Sequence, residues 1–198
     1  MIDIIAHRAG KSLYGENTIK SAKKSIELGC DYIEIDIRQT KDNKFIVHHL
    51  NNINNKLIRN INYAELKKLN KDINQLEDFL FLIKNNINTK LLLDIKDKVN
   101  YDLLYKKLNI FLKENKIAFI ANNLEIIFEL LYYFKDCDIT YILPKLNINN
   151  ILELKKYKTI KKIAIGDKTS NPTKFLITII KSLDFKIWAF TINEKKTC

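Results

Sequence analysis

The chain has 198 residues, long enough for one domain with a sizeable core, and its 46% hydrophobic content with 4 Gly and 2 Pro argues against a disordered polypeptide. The formal net charge of +11 raises the local concentration of anionic substrates, but the cations are spread along the chain without a basic cluster, so a nucleic-acid partner would rest on charge alone and none is expected. Three cysteines, Cys30, Cys137 and Cys198, in an odd count and without a C-x-x-C spacing, indicate neither a disulfide framework nor a zinc site.

In chain order, short β-branched runs alternate with stretches of helical period. The opening "MIDIIAHR" carries Asp3, His7 and Arg8 too early for a signal peptide, and "IDIIA" (2–6) reads as a buried strand. "NTIKSAKKSIELG" places Ile19, Ala22 and Ile26 on one face and stops at Gly29, which predicts an amphipathic helix. "DYIEIDIRQ" (31–39) and "KFIVHH" (44–49) read as strands, the Asn-rich 50–62 as a long loop, and "NYAELKKLN" and "LEDFLFLIKNN" as helices. "TKLLLDIK" (89–96) is the next strand. From there "IAFIA", "ITYIL", "IKKIAIG" and "KIWAFTIN" are strands that alternate with helical stretches.

Eight strand candidates alternating with helices predict an α/β fold, a TIM-type (β/α)8 barrel formed by residues 1–198 as a single domain. Neither G-x-G-x-x-G nor a P-loop occurs, which weighs against a nucleotide-binding doubly wound sheet. The longest apolar runs, such as "FLFLI" and "FLITII", are far too short to span a bilayer, so a cytoplasmic protein without a transmembrane segment is expected. The sequence leaves the oligomeric state open.

In such a barrel the chemistry sits at the carboxyl ends of the strands. The first strand ends in His7-Arg8, the second carries Glu34 and Asp36, the third ends in His48-His49, and the "LLLDIK" strand carries Asp94 and Lys96. Residues two apart on a strand share a face, so Glu34 and Asp36 project together. If Asp42-Asn43 is a two-residue hairpin turn, Lys41 faces Lys44 and Asp36 lies opposite His49; with a different loop, His48 would face inward instead. Two adjacent carboxylates raise each other's pKa, a cost that a divalent cation removes, and Asp94 offers a third oxygen for Mg²⁺ or Ca²⁺. Lys96 shares the face of Asp94, and the fork of Arg8 matches a phosphate. Two histidines flanking a metal-bound phosphate would supply an acid and a base for phosphoester cleavage.

These residues resemble the motifs of the glycerophosphodiester phosphodiesterase family. "AHRAG" followed by "GENT" (15–18) resembles its Ala-His-Arg-Gly and Pro-Glu-Asn-Thr, "GCDYIEIDI" (29–37) its Glu-x-Asp strand, and "TKDNKFIVHHL" (40–50) its T-x-D-G-x-x-V-x-H-D. "INQLEDFL", "LLLDIK" and, more loosely, "WAFTIN" (188–193) match later blocks. The resemblance implies a metal-dependent hydrolase that splits a small glycerophosphodiester into sn-glycerol 3-phosphate and an alcohol. Carried over by position, His7 and His49 are the catalytic acid–base pair, and Glu34, Asp36 and Asp94 ligate the metal. Arg8 and Lys96 hold the phosphate, and Trp188 lines the substrate cleft.

The chain also departs from the pattern. Leu50 stands where the family usually has Asp, Gly15 replaces a Pro, Ala9 is inserted after Arg8, and Asp94 replaces a Glu. Family members continue past the last motif, whereas five residues follow it here, which implies a barrel incomplete at the C-terminus. Leu50 and the early stop together raise the alternative of a catalytically impaired barrel that binds phosphodiesters or other anions without turnover.

Overall fold

The computed structural model describes residues 3–84, 86, 88–166 and 173–190, and these fall into two compact units. The first draws on 3–119 and 133–138, the second on 120–132 and 139–190.

In the first unit β1 (Ile5–Ala6) leads through a 3₁₀ turn (His7–Ala9) and the short α1 (Lys11–Tyr14) into α2 (Ile19–Glu27). Thr18 caps α2, its Oγ1 accepting the Ser21 N–H at 3.1 Å, and Gly29 ends the segment at φ 80°. β2 (Tyr32–Gln39) is buried from Tyr32 to Arg38, the pattern of a strand covered on both faces. β3 (Phe45–Val47) returns antiparallel to it, followed by β4 (Asn52–Ile53), β5 (Lys56–Leu57), a 3₁₀ turn (Ile58–Asn60) and α3 (Tyr63–Leu69). β6 (Asn74–Gln75) pairs antiparallel with β3, and α4 (Leu76–Lys84) follows directly. β7 (Lys90–Ile95) then pairs parallel with β2 over six rungs, Tyr32 beside Lys90 through Ile37 beside Ile95, while β1 pairs parallel on the other side of β2. α5 (Tyr101–Lys113), capped by Asn100, leads into β8 (Ile117–Ala121), which lies next to β7.

The second unit contains most of α6 (Leu124–Tyr133) and β9 (Asp138–Ile142), then α7 (Ile148–Lys155), β10 (Lys162–Gly166), α8 (Lys174–Ser182) and β11 (Lys186–Phe190). β9, β10 and β11 are mutually parallel. Asn147 and Thr173 cap α7 and α8 by accepting the N–H groups of Asn150 and Leu176.

Three expectations change. "IDIIA" contributes only Ile5 and Ala6 as strand among the described residues, and Ile4 is exposed. The 44–49 segment, counted among the eight alternating strands, is instead antiparallel to β2, as the hairpin reading of the 41–44 turn had it, and it ends as strand at Val47. The 50–62 stretch is not a long loop. Asn54 and Asn55, at φ 49° and 62°, make the two-residue turn between β4 and β5, a role in which Asn tolerates the left-handed region. Ile53, Ile58 and Ile61 then bury against Ile46, Leu66 and Ile73 in a small core of their own.

The hairpin register also differs. Ile37 pairs with Val47 and Gln39 with Phe45, and the Thr40 N–H donates to Lys44 O at 2.9 Å. The loop is therefore three residues, 41–43, closed by Asn43 at φ 60°, and Asp36 lies opposite His48 rather than His49, its carbonyl accepting the His48 N–H at 2.9 Å. Residues 191–193 of the closing motif, and Cys198, lie outside the described residues.

Candidate functional site

The site is built on the ends of β1, β2 and β7. After Ala6 three consecutive residues take left-handed conformations, Arg8 at φ 49°, Ala9 at 61° and Gly10 at 88°. A non-glycine residue there costs about 1–2 kcal/mol, and the turn is held by what it points at. The Arg8 N–H donates to Glu34 Oε2 at 2.5 Å, and Ser25 Oγ–H on α2 donates to Ala9 O at 3.1 Å. Gly10 is fixed by space as well as by φ, because a Cβ there would lie 2.3 Å from Ser25 Oγ. The inserted Ala9 is fully buried in this turn. Gly15, at φ 91°, holds a conformation closed to the Pro it replaces, and Glu16 and Asn17 still reach the site.

The β2–β7 register puts Asp36 and Asp94 on the same rung, with Glu34 two residues back on β2. All three carboxylates are buried, and one oxygen from each lies within 4.8 Å of the others. Burial, with the charges of Asp36 and Asp94, pushes Glu34 well above the usual carboxylate range. Burial also raises Asp94, against the pull of Lys96. Asp36 goes the other way: burial would raise it, but the Lys96 ammonium and hydrogen bonds from Lys96, Asn17 and His49 hold it at about 2. Lys96 Nζ lies 2.8 Å from Asp36 Oδ1 and also contacts Asp94. Those two carboxylates raise Lys96 despite its burial. Asn17, at φ 58°, donates from Nδ2 to Asp36 Oδ2 at 2.7 Å and accepts the Asp36 N–H at 3.3 Å. Three hard oxygen donors, with one carboxyl pushed upward by burial and then by its neighbours' charges, fit Mg²⁺ or Ca²⁺ in charge and ligand type.

Although the ladder places His48 opposite Asp36, it is His49 that reaches the acids. β3 has ended, the chain bends, and His49 Nδ1 lies 3.2 Å from Asp36 Oδ1. Arg8 Nη2 lies 2.9 Å from His49 Nε2. A guanidinium can only donate, so Nε2 accepts, and Nδ1 carries the proton given to Asp36. Arg8 Nη1 donates to Glu16 Oε2 at 2.7 Å, and its Nε lies 3.8 Å from Asp36 Oδ2. His7 Nδ1 is buried without a hydrogen-bond partner among the described residues. Burial, then the charges of Arg8 and Lys11, lower His7 to about 4, so its ring is neutral at pH 7. His48 is lowered by burial and by Arg38.

The structure thus gathers His7, Arg8, Glu34, Asp36, His49, Asp94 and Lys96 in the first unit. Trp188 lies in the second unit on β11, its ring 4.1 Å from Lys162 Nζ. Leu50 is 56% exposed. Arg38, which contacts His49 O and Asp97, is a site residue outside the sequence-derived set. It shares a strand face with Glu34 and Asp36 by period two, and it is one of 3 arginines in a chain that otherwise uses lysine, which together were the available signal. Asn17 and Glu16 were noted only as parts of a motif, and their contacts to Asp36 and Arg8 need the fold to be seen.

The profile of the glycerophosphoryl diester phosphodiesterase family matches residues 7–183. A glycerophosphodiester phosphodiesterase of Caldanaerobacter subterraneus subsp. tengcongensis is 35% identical over 81 residues, 38% of this chain. The match spans only 33% of that protein's length. Among solved structures, the glycerophosphodiester phosphodiesterase of Thermotoga maritima superposes with a TM-score of 0.77 at 22% identity, covering 98% of this chain and 88% of that one. An Oleispira antarctica phosphodiesterase, solved with the product sn-glycerol-3-phosphate, gives 0.78 at 19% identity over 98% of this chain and 86% of that one. These likenesses show the fold class, α/β of the TIM-barrel type. Among the described residues no helix is long and apolar enough to cross a membrane.

Proposed function

Since this chain belongs to the glycerophosphoryl diester phosphodiesterase family, we propose that it hydrolyses small glycerophosphodiesters to sn-glycerol 3-phosphate and an alcohol. The observation that carries the reading is the convergence of two imidazoles, a guanidinium and an ammonium on three buried carboxylates at the ends of adjacent strands. The product bound to the Oleispira antarctica relative supports the substrate class. That one family profile runs through both units supports reading residues 1–198 as one domain.

Glu34, Asp36 and Asp94 would hold a divalent cation, Mg²⁺ or Ca²⁺. When bound, the cation supplies positive charge to stabilise the developing negative charge on phosphate. Arg8 turns from His49 to the phosphate, where its fork matches two oxygens, and Lys96 adds a second positive charge. His7, neutral because burial and neighbouring cations disfavour its imidazolium, takes the proton from the attacking hydroxyl. That hydroxyl is either water or the glycerol's own, the latter passing through a cyclic phosphate. His49 works at Nε2: once Arg8 vacates that nitrogen it takes up a proton from solvent, and the imidazolium so formed passes this proton to the leaving alcohol while Asp36 keeps hold of Nδ1–H. Trp188 is assigned to the substrate cleft on its motif.

The test is release of sn-glycerol 3-phosphate from sn-glycero-3-phosphocholine with Mg²⁺ or Ca²⁺ present. His7→Ala and His49→Ala, with the fold intact, are expected to lose at least about 100-fold in kcat, the scale of general acid–base catalysis. Unchanged turnover in both ends the assignment. Leu50, exposed and apolar where the family usually has Asp, favours one second reading, a barrel that binds the diester without cleaving it. Calorimetric binding of the diester with no product release would decide for it.

A further inference from the structure

We propose that Arg38 is a positioning residue that holds the His49 backbone so that the imidazole stays on Asp36. The ladder between β2 and β3 ends at the Ile37–Val47 pair, with one further bond from the His48 N–H to Asp36 O. His49 lies beyond it, on a bend, with no strand partner to fix its carbonyl. Arg38 supplies that anchor. Its Nε and Nη2 both donate to His49 O, at 3.1 and 2.7 Å, and its Nη1 pairs with Asp97, one residue past Lys96. The guanidinium is buried, so the fork is held in one geometry. A bidentate donor at a single carbonyl restrains it in two directions, which a lysine point charge does not.

The arrangement answers the departure at position 50. Leu50 points into solvent and offers no polar group to the imidazole. In its place, Arg38 ties His49 from the backbone side to the strand that carries Glu34 and Asp36, and through Asp97 to the segment that carries Asp94 and Lys96. Glu34, Asp36 and Arg38 share one face of β2, so one strand both presents the acids and aligns the histidine.

This inference rests on the proposed hydrolysis for its kinetic readout, but its spectroscopic readout is independent of turnover. The experiment labels the 3 histidines with ¹⁵N and compares the parent with Arg38→Met, Arg38→Lys and Asp97→Asn. In the parent, His49 is expected as the Nδ1–H tautomer. In Arg38→Met the His49 signals should move towards a tautomer mixture, and kcat on sn-glycero-3-phosphocholine should fall on the order of 10- to 100-fold, the scale of a misplaced catalytic group, with KM within about twofold. Arg38→Lys should fall between, and Asp97→Asn should shift both readouts the same way by less. A folded Arg38→Met protein with the parent tautomer and parent kcat overturns the proposal. If that variant does not fold, Asp97→Asn at its half-exposed site decides by the same criteria. Should the parent cleave no diester, the proposed function falls, and an unchanged His49 tautomer in the variants then overturns the role of Arg38.

Discussion

Asn17 meets two demands that few residues meet together. It occupies the left-handed region at φ 58°, and it hydrogen-bonds Asp36 from both ends of its amide. Asn17→Ala removes a donor to a buried carboxylate, so stability should drop by about 1–3 kcal/mol, read from urea unfolding. His7 makes a pH prediction with a fixed sign. Its folded value of about 4 lies below the unfolded 6.5, so the unfolded chain binds the extra proton between those values. The contribution of His7 is fully present above pH 6.5 and is lost as pH falls towards 4. Glu34, raised by burial, titrates with the opposite sign, so the parent curve alone mixes the two. The stability difference between parent and His7→Asn isolates the histidine: it should be flat above pH 6.5 and move against the parent below it. At this scale the sequence was largely readable, because period two fixes which acids share a face and strand ends collect the polar groups. His49 was placed correctly through a wrong register. The pairing is offset by one, and the bend after Val47 restores the contact, which no pairing rule could foresee.

The β4–β5 hairpin shows where reading by composition fails. Asn in quantity reads as loop, yet Asn54-Asn55 is a two-residue turn and the isoleucines on either side supply a core. Ile58 is 1% exposed within that cluster. Ile58→Ala should therefore destabilise by about 2–5 kcal/mol, read from chemical denaturation, whereas an exposed loop residue would change almost nothing. The helices were easier, since amphipathic period and Thr or Asn caps signal α2, α5, α7 and α8 directly. Whether the 44–49 strand ran parallel or antiparallel was not in its composition. The short loop to β2 decides it, because a three-residue connection can only return the chain antiparallel.

For the molecule as a whole, the alternation of strands and helices was enough to name the fold class, while the division of the described chain into two units left no trace in composition. The net charge of +11 makes a long-range prediction: kcat/KM for an anionic diester should fall as salt rises, most steeply below about 0.15 M where screening is weak. A divalent cation held by Glu34, Asp36 and Asp94 should raise the melting temperature, with about 2.7 kcal/mol gained at a concentration 100 times Kd, and Glu34→Gln with Asp94→Asn should erase the shift. The ammonium lying between Asp36 and Asp94 has one more consequence. A newly made polypeptide already owns a counter-ion for its most crowded anions, so maturation can run in two stages, first the fold and later the loading. A chelator such as EDTA would then silence the protein without unravelling it, and returning the ion would revive it without a chaperone.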